Sequence, residues 1–489
     1  MLKRKEIFLL LSLTVAAILL HGYHPWAEDA EIYIPGVLRS LNPQLFPHDR
    51  PFFESHAHLT LFPNLVAGLV GVTHLPMEWV LLLGQFASVF LFLYACWRLS
   101  GICFSDSAAR CAGVMSVAAL LTLPVAGTAL YLMDQYFNPR NIAAFAAIFA
   151  VVATLERRYV HACLWLLFAA SVHPLMAVFA CSYCVLLPLV KAVNVRIEHA
   201  TPAFAGMMLV TPFLGELQTP SPAYRAAAAF HSFHYVTRWA WYEVVGAIAP
   251  ALIFWLFARL ARKRQRPALE LLCRSLVVYD LVYFVAAVIL AIPARFESLA
   301  RIQPLRSLHL LYGLLILIGG GLLGEFLLKT RAWRWVLVFL PICGGMFAAQ
   351  VQLFGTSDHV EMPWTAPKND YEQAFLWVRQ NTSTDALFAL DPGFLHAPGE
   401  DSQGFRAIAQ RSRLADDFKD SGAVSMFPAL AEEWYAQTEA LKNWQSFGKS
   451  DFQQLRQRYG VSWVAVQRPQ PMDLDCPYQN RTVSVCKIQ

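Results

Sequence analysis

Glu28, Asp29 and Glu31 fall within four positions of one another, in the stretch HGYHPWAEDAEIYIPG (residues 21–36) that directly follows an apolar run. Asp49 and Glu54 come later in the same segment, interleaved with His24, His48, His56 and His58. Carboxylates in such a place can take a proton from an acceptor hydroxyl, or hold a divalent cation such as Mg or Mn that neutralises a phosphate. Imidazoles can complete the shell of that cation, with Glu54, His56 and His58 as the candidate metal ligands. The plainer reading is a polar loop at a membrane surface, whose His and Tyr side chains bond to their neighbours. Side chains suited to a phosphate stand elsewhere. Arg140 opens a helix in YFNPRN, Arg295, Arg301 and Arg306 crowd PARFESLARIQPLR, and His173 sits in the SVHP turn. A helix start adds its own attraction for anions. The competing roles are headgroup anchoring for the arginines and helix capping for His173.

These residues need elements to carry them, and the composition says which. Of 489 residues 57% are hydrophobic and 15% charged, so the chain reads as a polytopic membrane protein. Eleven apolar segments are expected as spans: Ile7–His21, Met77–Trp97, Ala108–Gly127, Asn141–Leu155, His161–Val172, Pro174–Val190, Pro202–Leu214, Trp239–Ala261, Leu269–Ala291, Leu305–Leu328 and Trp333–Leu353. If MLKRK is cytoplasmic, the basic connections CWRLSG, ERRYVH, KAVNVRIEH, ARKRQRP and KTRAWRW share its side. The acidic loop, the arginine-bearing turns and everything after Phe354 then lie outside. Leu61–Val72 has Pro63 near its start and reads as an interfacial helix rather than a span. A cleaved signal peptide is the other reading of the first segment, but His21 and Tyr23 stand where small residues belong. Asp280, in VVYDLVY, is the exception to charges kept at the span ends.

Residues 1–354 therefore form a membrane domain, with an outer acidic loop at 22–61 and the interfacial helix at 61–72, and residues 355–489 form a soluble α/β domain. DYEQAFLWVRQN repeats with helical period and FPALAEEWYAQTEALKNW reads as a second helix, while DALFALD, VSWVAVQ and TVSVCKI read as strands. No glycine-rich phosphate loop, GxSxG or HExxH occurs in this domain, and no independent chemistry is expected of it. Arg406, Arg411 and Lys419 are read as solvating a helix. Cys476 and Cys486 flank PYQNRTVSV in the outer domain, where an oxidising compartment would join them in a disulfide.

The acids of AEDAEIY directly after the first helix, interfacial helices, many short spans and an outer C-terminal domain together resemble the GT-C superfamily of membrane glycosyltransferases. In the tail, FLWVRQNTSTDALFALDP, FRAIAQR and AEEWY resemble the outer domains of bacterial GT-C-like proteins. No WWDYG-like signature occurs, which departs from the oligosaccharyltransferase branch. The resemblance implies an inner-membrane enzyme with a periplasmic C-terminal domain. Its partners would be a polyprenyl-phosphate-linked sugar and membrane lipids, not nucleic acid. Glu28 and Asp29 match the first-loop acidic motif, so Asp29 or Glu28 would deprotonate or orient the acceptor in an inverting transfer. Arg140, His173, Arg295, Arg301 and Arg306 would hold the donor, with a divalent ion as an optional aid. The alternative is a solute transporter or a non-enzymatic scaffold with an outer binding site.

Overall fold

The computed structural model describes residues 3–193, 220–291, 299, 301–397, 400–468 and 474–489. The first apolar run folds as α1 (Arg4–His21) and stops at Gly22, whose φ of 86° favours glycine. A Cβ at Gly22 would lie 2.7 Å from the carbonyl oxygen of His359, so the chain leaves the helix pressed against the C-terminal part. The acidic segment then forms three short helices, α2 (Ala30–Leu41), α3 (Arg50–Ala57) and α4 (Phe62–Thr73). Helix α4 buries Phe62 and Val66 but exposes Leu65, Leu69 and Val72, as an interfacial helix would.

The bundle continues with α5 (Met77–Cys103), α6 (Ser107–Ala119), α7 (Pro139–Leu155), α8 (Tyr159–Val172), α9 (Pro174–Val193), the short α10 (Pro222–Ala229), α11 (Trp241–Lys263), α12 (Pro267–Ala291), α13 (Leu308–Leu323) and α14 (Ala332–Leu353). Among the described residues six helices are long and apolar enough to cross a membrane: α5, α9, α11, α12, α14 and the stretch Pro304–Leu328 that contains α13. The chain is a polytopic membrane protein, and among the described residues six of the eleven expected spans are helices of spanning length. Pro202–Leu214 lies outside the described residues. Helices α6, α7 and α8 have 13, 17 and 14 residues and cannot cross the bilayer comfortably alone. Protein surrounds α7 instead, which is buried from Pro139 to Thr154 and lies against α5, α8 and α9. Its Phe149 stacks on Trp165 of α8 at 4.7 Å.

The basic connections meet at one end of the bundle, where Arg98 pairs with Glu156 at 2.7 Å and Arg266 with Glu325 at 2.5 Å. The C-terminal domain sits at the other end. It contains α15 (Asp370–Asn381), β1 (Leu387–Leu390), α16 (Phe405–Ala409), β2 (Ser412–Arg413), α17 (Lys419–Met426), α18 (Ala431–Ala440), α19 (Lys449–Tyr459), β3 (Trp463–Gln467), β4 (Asp475–Gln479) and β5 (Val483–Lys487). The strand order is β2-β1-β3-β5-β4, with β1 parallel to both neighbours and β5 antiparallel to both of its own. Tyr371, Ala374, Phe375 and Val378 form the buried face of α15, as their spacing requires. A disulfide joins Cys476 to Cys486 across the β4–β5 pair.

Candidate functional site

A cavity of about 670 Å³ opens where the acidic segment, the loop before α7, the α8–α9 turn, the 231–234 turn, the Gln303–Arg306 turn and α17 converge. Its walls mix the polar groups of Asp29, Asp134, Arg140, Arg306 and Lys419 with Ile32, Leu59, Leu175, Val178 and Phe233. Leu59 and Val178 on the apolar side of the cavity are exposed.

The loop before α7 is rigid for a reason legible in its residues. Asn138 caps α7 through its side chain, which accepts from the Asn141 amide at 2.9 Å, and Pro139 takes the first helical position. Asn141 donates to the carbonyl oxygens of Asp134 and Tyr136, and Gln85 of α5 donates to the Asp134 carbonyl. Arg140 is thereby aimed at Asp134, at 2.7 Å and 2.9 Å, and at Asp29 Oδ2, at 3.2 Å. Asp134 is a site residue that the sequence reading missed. Its signal was an acid six positions before an arginine in the same short loop.

Asp29 stands just before the first turn of α2, and Glu28 before it has a left-handed φ of 54°. The Asp29 amide donates to the Tyr136 hydroxyl at 3.3 Å. From the C-terminal domain, Lys419 Nζ donates to Asp29 Oδ1 at 2.8 Å and to Glu28 Oε2 at 2.7 Å. Burial alone would raise the Asp29 pKa, but Lys419 and Arg140 outweigh it and hold this carboxyl well below the usual carboxylate range. Burial pushes His56 and His231 down to about 4, so both imidazoles on the cavity wall are neutral at pH 7.

Arg306 differs from the other cations. Arg140 and Lys419 are paired, whereas among the described residues no carboxylate lies within ion-pair distance of Arg306, and its buried Nε has no hydrogen-bond partner. His173 lines the same cavity and also caps the start of α9, its Nδ1 accepting from the Met176 amide at 3.4 Å. Arg301 does not line the cavity, and Arg295 lies outside the described residues.

The metal set does not assemble. Glu54 is ion-paired with Arg39, His58 is the C-cap residue of α3, and His56 turns into the cavity. Successive alternate positions on a helix lie about 200° apart, so His56 points away from the face that Glu54 and His58 share. Among the described residues no group of three or more His, Cys, Asp or Glu side chains is placed to hold a metal ion. Asp280 is buried in α12 away from the cavity, and neither carboxylate oxygen has a hydrogen-bond partner among the described residues.

The expectation that Arg406, Arg411 and Lys419 solvate a helix is overturned. All three are buried. Arg411 donates to the carbonyl oxygens of Arg379 and Thr382 at 2.9 Å and 2.7 Å. Arg406 bridges Asp49 at 2.5 Å and Asp420 at 2.9 Å and 3.0 Å, and Arg413 bonds to Glu31 at 2.8 Å and to Asp416. This buried network fastens the acidic segment to the C-terminal domain. Backbone bonds add to it, from Glu28 to Ser402 at 2.9 Å and from Gly404 to Trp26 at 2.8 Å. Gly404 is required by the close approach, since a Cβ there would meet Glu31 Oε2 and the Trp26 carbonyl at 3.1 Å.

No family model matches the chain, and no curated protein sequence matches it. Among solved structures the chain is similar to the Archaeoglobus fulgidus oligosaccharyltransferase in its apo form, with 12% identity, a TM-score of 0.49, and coverage of 95% of this chain and 70% of that one. It is also similar to the archaeal oligosaccharyltransferase AglB from Archaeoglobus fulgidus in complex with an inhibitory peptide and a dolichol-phosphate. That match has 11% identity, a TM-score of 0.41, and coverage of 94% of this chain and 69% of that one.

Proposed function

We propose that the chain is a membrane glycosyltransferase that moves a sugar from a polyprenyl-phosphate carrier to an acceptor at the end of the bundle bearing the C-terminal domain. One observation supports the reading most: a single cavity with an apolar wall holds both an ionised carboxylate, Asp29, and a buried guanidinium, Arg306, that has no ion-pair partner among the described residues. A buried guanidinium without a counter-ion suits an anionic ligand, because pairing offsets the desolvation that the cation otherwise bears. The apolar wall suits the lipid that such a phosphate would carry.

In this reading Asp29 takes the proton from the acceptor hydroxyl as its oxygen attacks the anomeric carbon. The bond from that carbon to the phosphate oxygen breaks on the opposite face, and the lipid phosphate leaves with the electron pair, giving inversion. Arg306, with Arg140 nearby, would balance the charge gained by the leaving phosphate, and His173 would contact the donor from the α8–α9 turn. Glu28 holds Lys419 beside Asp29. The positions of Glu54, His56 and His58 do not fit a divalent ion, so no step is routed through one.

The test is transfer from labelled polyprenyl-phosphate sugars by purified protein in lipid. Asp29→Asn keeps the shape but cannot accept the proton, and should lower transfer by about two to four orders of magnitude with unchanged expression. Undiminished transfer by Asp29→Asn rules the base assignment out. A folded wild type inactive with every donor favours the transporter or scaffold instead.

A further inference from the structure

The C-terminal domain sends one charged side chain into the cavity, and the transfer step above gives it no task. Lys419 opens α17, and its amide donates to Asp416 Oδ1 at 2.5 Å. Arg413 fixes Asp416, and Arg406 fixes Asp420 on the other side of the lysine. The Phe418 ring lies 5.1 Å from Nζ. A lysine normally loses much rotamer freedom on being held in one place. Here the ordering comes from a framework that is itself buried. Two of the three ammonium donors are used by Glu28 and Asp29, and the lysine side chain is only 7% exposed.

Asp29 is met by charges from three directions. Lys419 faces it from α17, Arg140 from α7, and Arg306 from the turn before α13. Asp134 and Glu28 are the neighbouring acids, each sharing one of those cations, and Tyr33, Tyr136 and the neutral His56 complete the surroundings. Arg140 makes its shorter contacts to Asp134, so the shortest cation contact to Asp29 is that of Lys419.

We propose that Lys419 is a positioning residue of the transfer reaction: from the C-terminal domain it fixes the Asp29 and Glu28 carboxylates at the cavity wall and keeps Asp29 ionised. The activity readout of this inference rests on the glycosyltransferase reading. The sign follows from the groups present. Burial favours protonated Asp29, and the Lys419 ammonium opposes it most strongly. Removing it moves the Asp29 titration upward, so activity that depends on the carboxylate is lost at a higher pH as the solution is acidified.

Full-length Lys419→Met, Lys419→Gln and Lys419→Arg are compared with wild type in lipid, using the labelled donor across a pH series. In the Met variant kcat should fall about tenfold or more, the donor KM should stay within about twofold, and the acid limb of kcat/KM should rise by about one pH unit or more. Lys419→Arg, which keeps the charge, should restore most of the profile. A uniform loss at all pH values, with the limb unmoved, overturns the proposal, because a merely structural lysine would act that way. If the Met variant does not fold, Lys419→Gln carries the same comparison. A second readout needs no donor: carbodiimide labelling at pH 5, read at Asp29 by peptide mass spectrometry, should increase about tenfold in the neutral variants. Unchanged labelling overturns the proposal even where transfer is impaired. A wild type without transfer counts against the glycosyltransferase reading alone, and the labelling then decides Lys419.

Discussion

Replacing Arg406 by Met removes the one cation that touches Glu31, Asp49 and Asp420 together, at 3.4 Å, 2.5 Å and 2.9 Å. All four side chains are nearly or wholly buried, and methionine fills much of the same volume without charge. The cluster holds four carboxylates, counting Asp416, against Arg406 and Arg413. After the substitution Arg413 alone faces them. Breaking a buried pair from one side costs about 3–5 kcal/mol, chiefly because the remaining charges stay desolvated and unpaired. At 1.36 kcal/mol per decade this is roughly two to nearly four orders of magnitude in the equilibrium for opening the seam. Native-state proteolysis and hydrogen exchange of purified protein in lipid, read over residues 26–50 and 402–420, measure that equilibrium. Arg481→Ala is the control, since its 3.2 Å bond to Asp370 is made by a side chain 84% exposed to solvent, and no measurable change is expected. Glu31→Gln should be milder than Arg406→Met, because the amide oxygen can still accept from Arg413 or the Arg406 backbone amide while Asp49, Asp416 and Asp420 remain to pair the two arginines. A change below about fivefold for Arg406→Met would refute the reasoning, because it would mean that the buried charges rearrange or hydrate at almost no cost.

Arg306→Ala should weaken donor binding by about tenfold to a hundredfold while leaving acceptor KM unchanged, as loss of a charged hydrogen bond to a phosphate would. Donor and acceptor KM measured separately check it, and an equal effect on both would assign Arg306 to the structure of the cavity. Reporters fused after Arg264 should stay cytoplasmic and those after Gly355 should be exported, because the basic connections gather at the end of the bundle opposite the C-terminal domain. Export after Arg264 would reverse the orientation.

Several parts of this arrangement were legible because they depend on local pattern. The helical period of Tyr371, Ala374, Phe375 and Val378 follows from residues near one another in the chain, and so do the strands at 387–390, 463–467 and 483–487. The clustering of Glu28 and Asp29 after α1, and the placing of Arg140 at a helix start, were visible in the same way. Which apolar helices are wrapped in protein was not, because apolar content does not tell a lipid-facing helix from an enclosed one, and α7 is the second kind. Nor was the fate of the tail cations. Arg406 and Lys419 stand in ordinary polar surroundings in the sequence, and their partners in the first segment lie 357 to 391 positions away. The three candidate metal ligands do not converge for a local reason: positions 54, 56 and 58 would share a face on a strand, but on a helix His56 points away from the other two.

Backbone strain gives the seam a further meaning. Of the eleven non-glycine residues with positive φ among the described residues, four line this cavity: Glu28 at 54°, Ala126 at 40°, Ala129 at 54° and Gln303 at 51°. Each such residue costs about 1–3 kcal/mol and persists only where its surroundings over-determine it. For Glu28 those surroundings come from the C-terminal domain. Its amide is held by the Ser402 carbonyl and its carboxylate by Lys419, both from the C-terminal domain. The left-handed turn at Glu28 directs the chain from α1 into α2 within a few residues, and so presents Asp29 to Arg140 on one side and Lys419 on the other. An extended Glu28 would carry Asp29 away from both. The strain in the first segment, the buried arginine network and the placement of the carboxylate are therefore one construction. It requires the C-terminal domain to be docked, so the domain in which no catalytic motif can be read is nonetheless needed to complete the cavity.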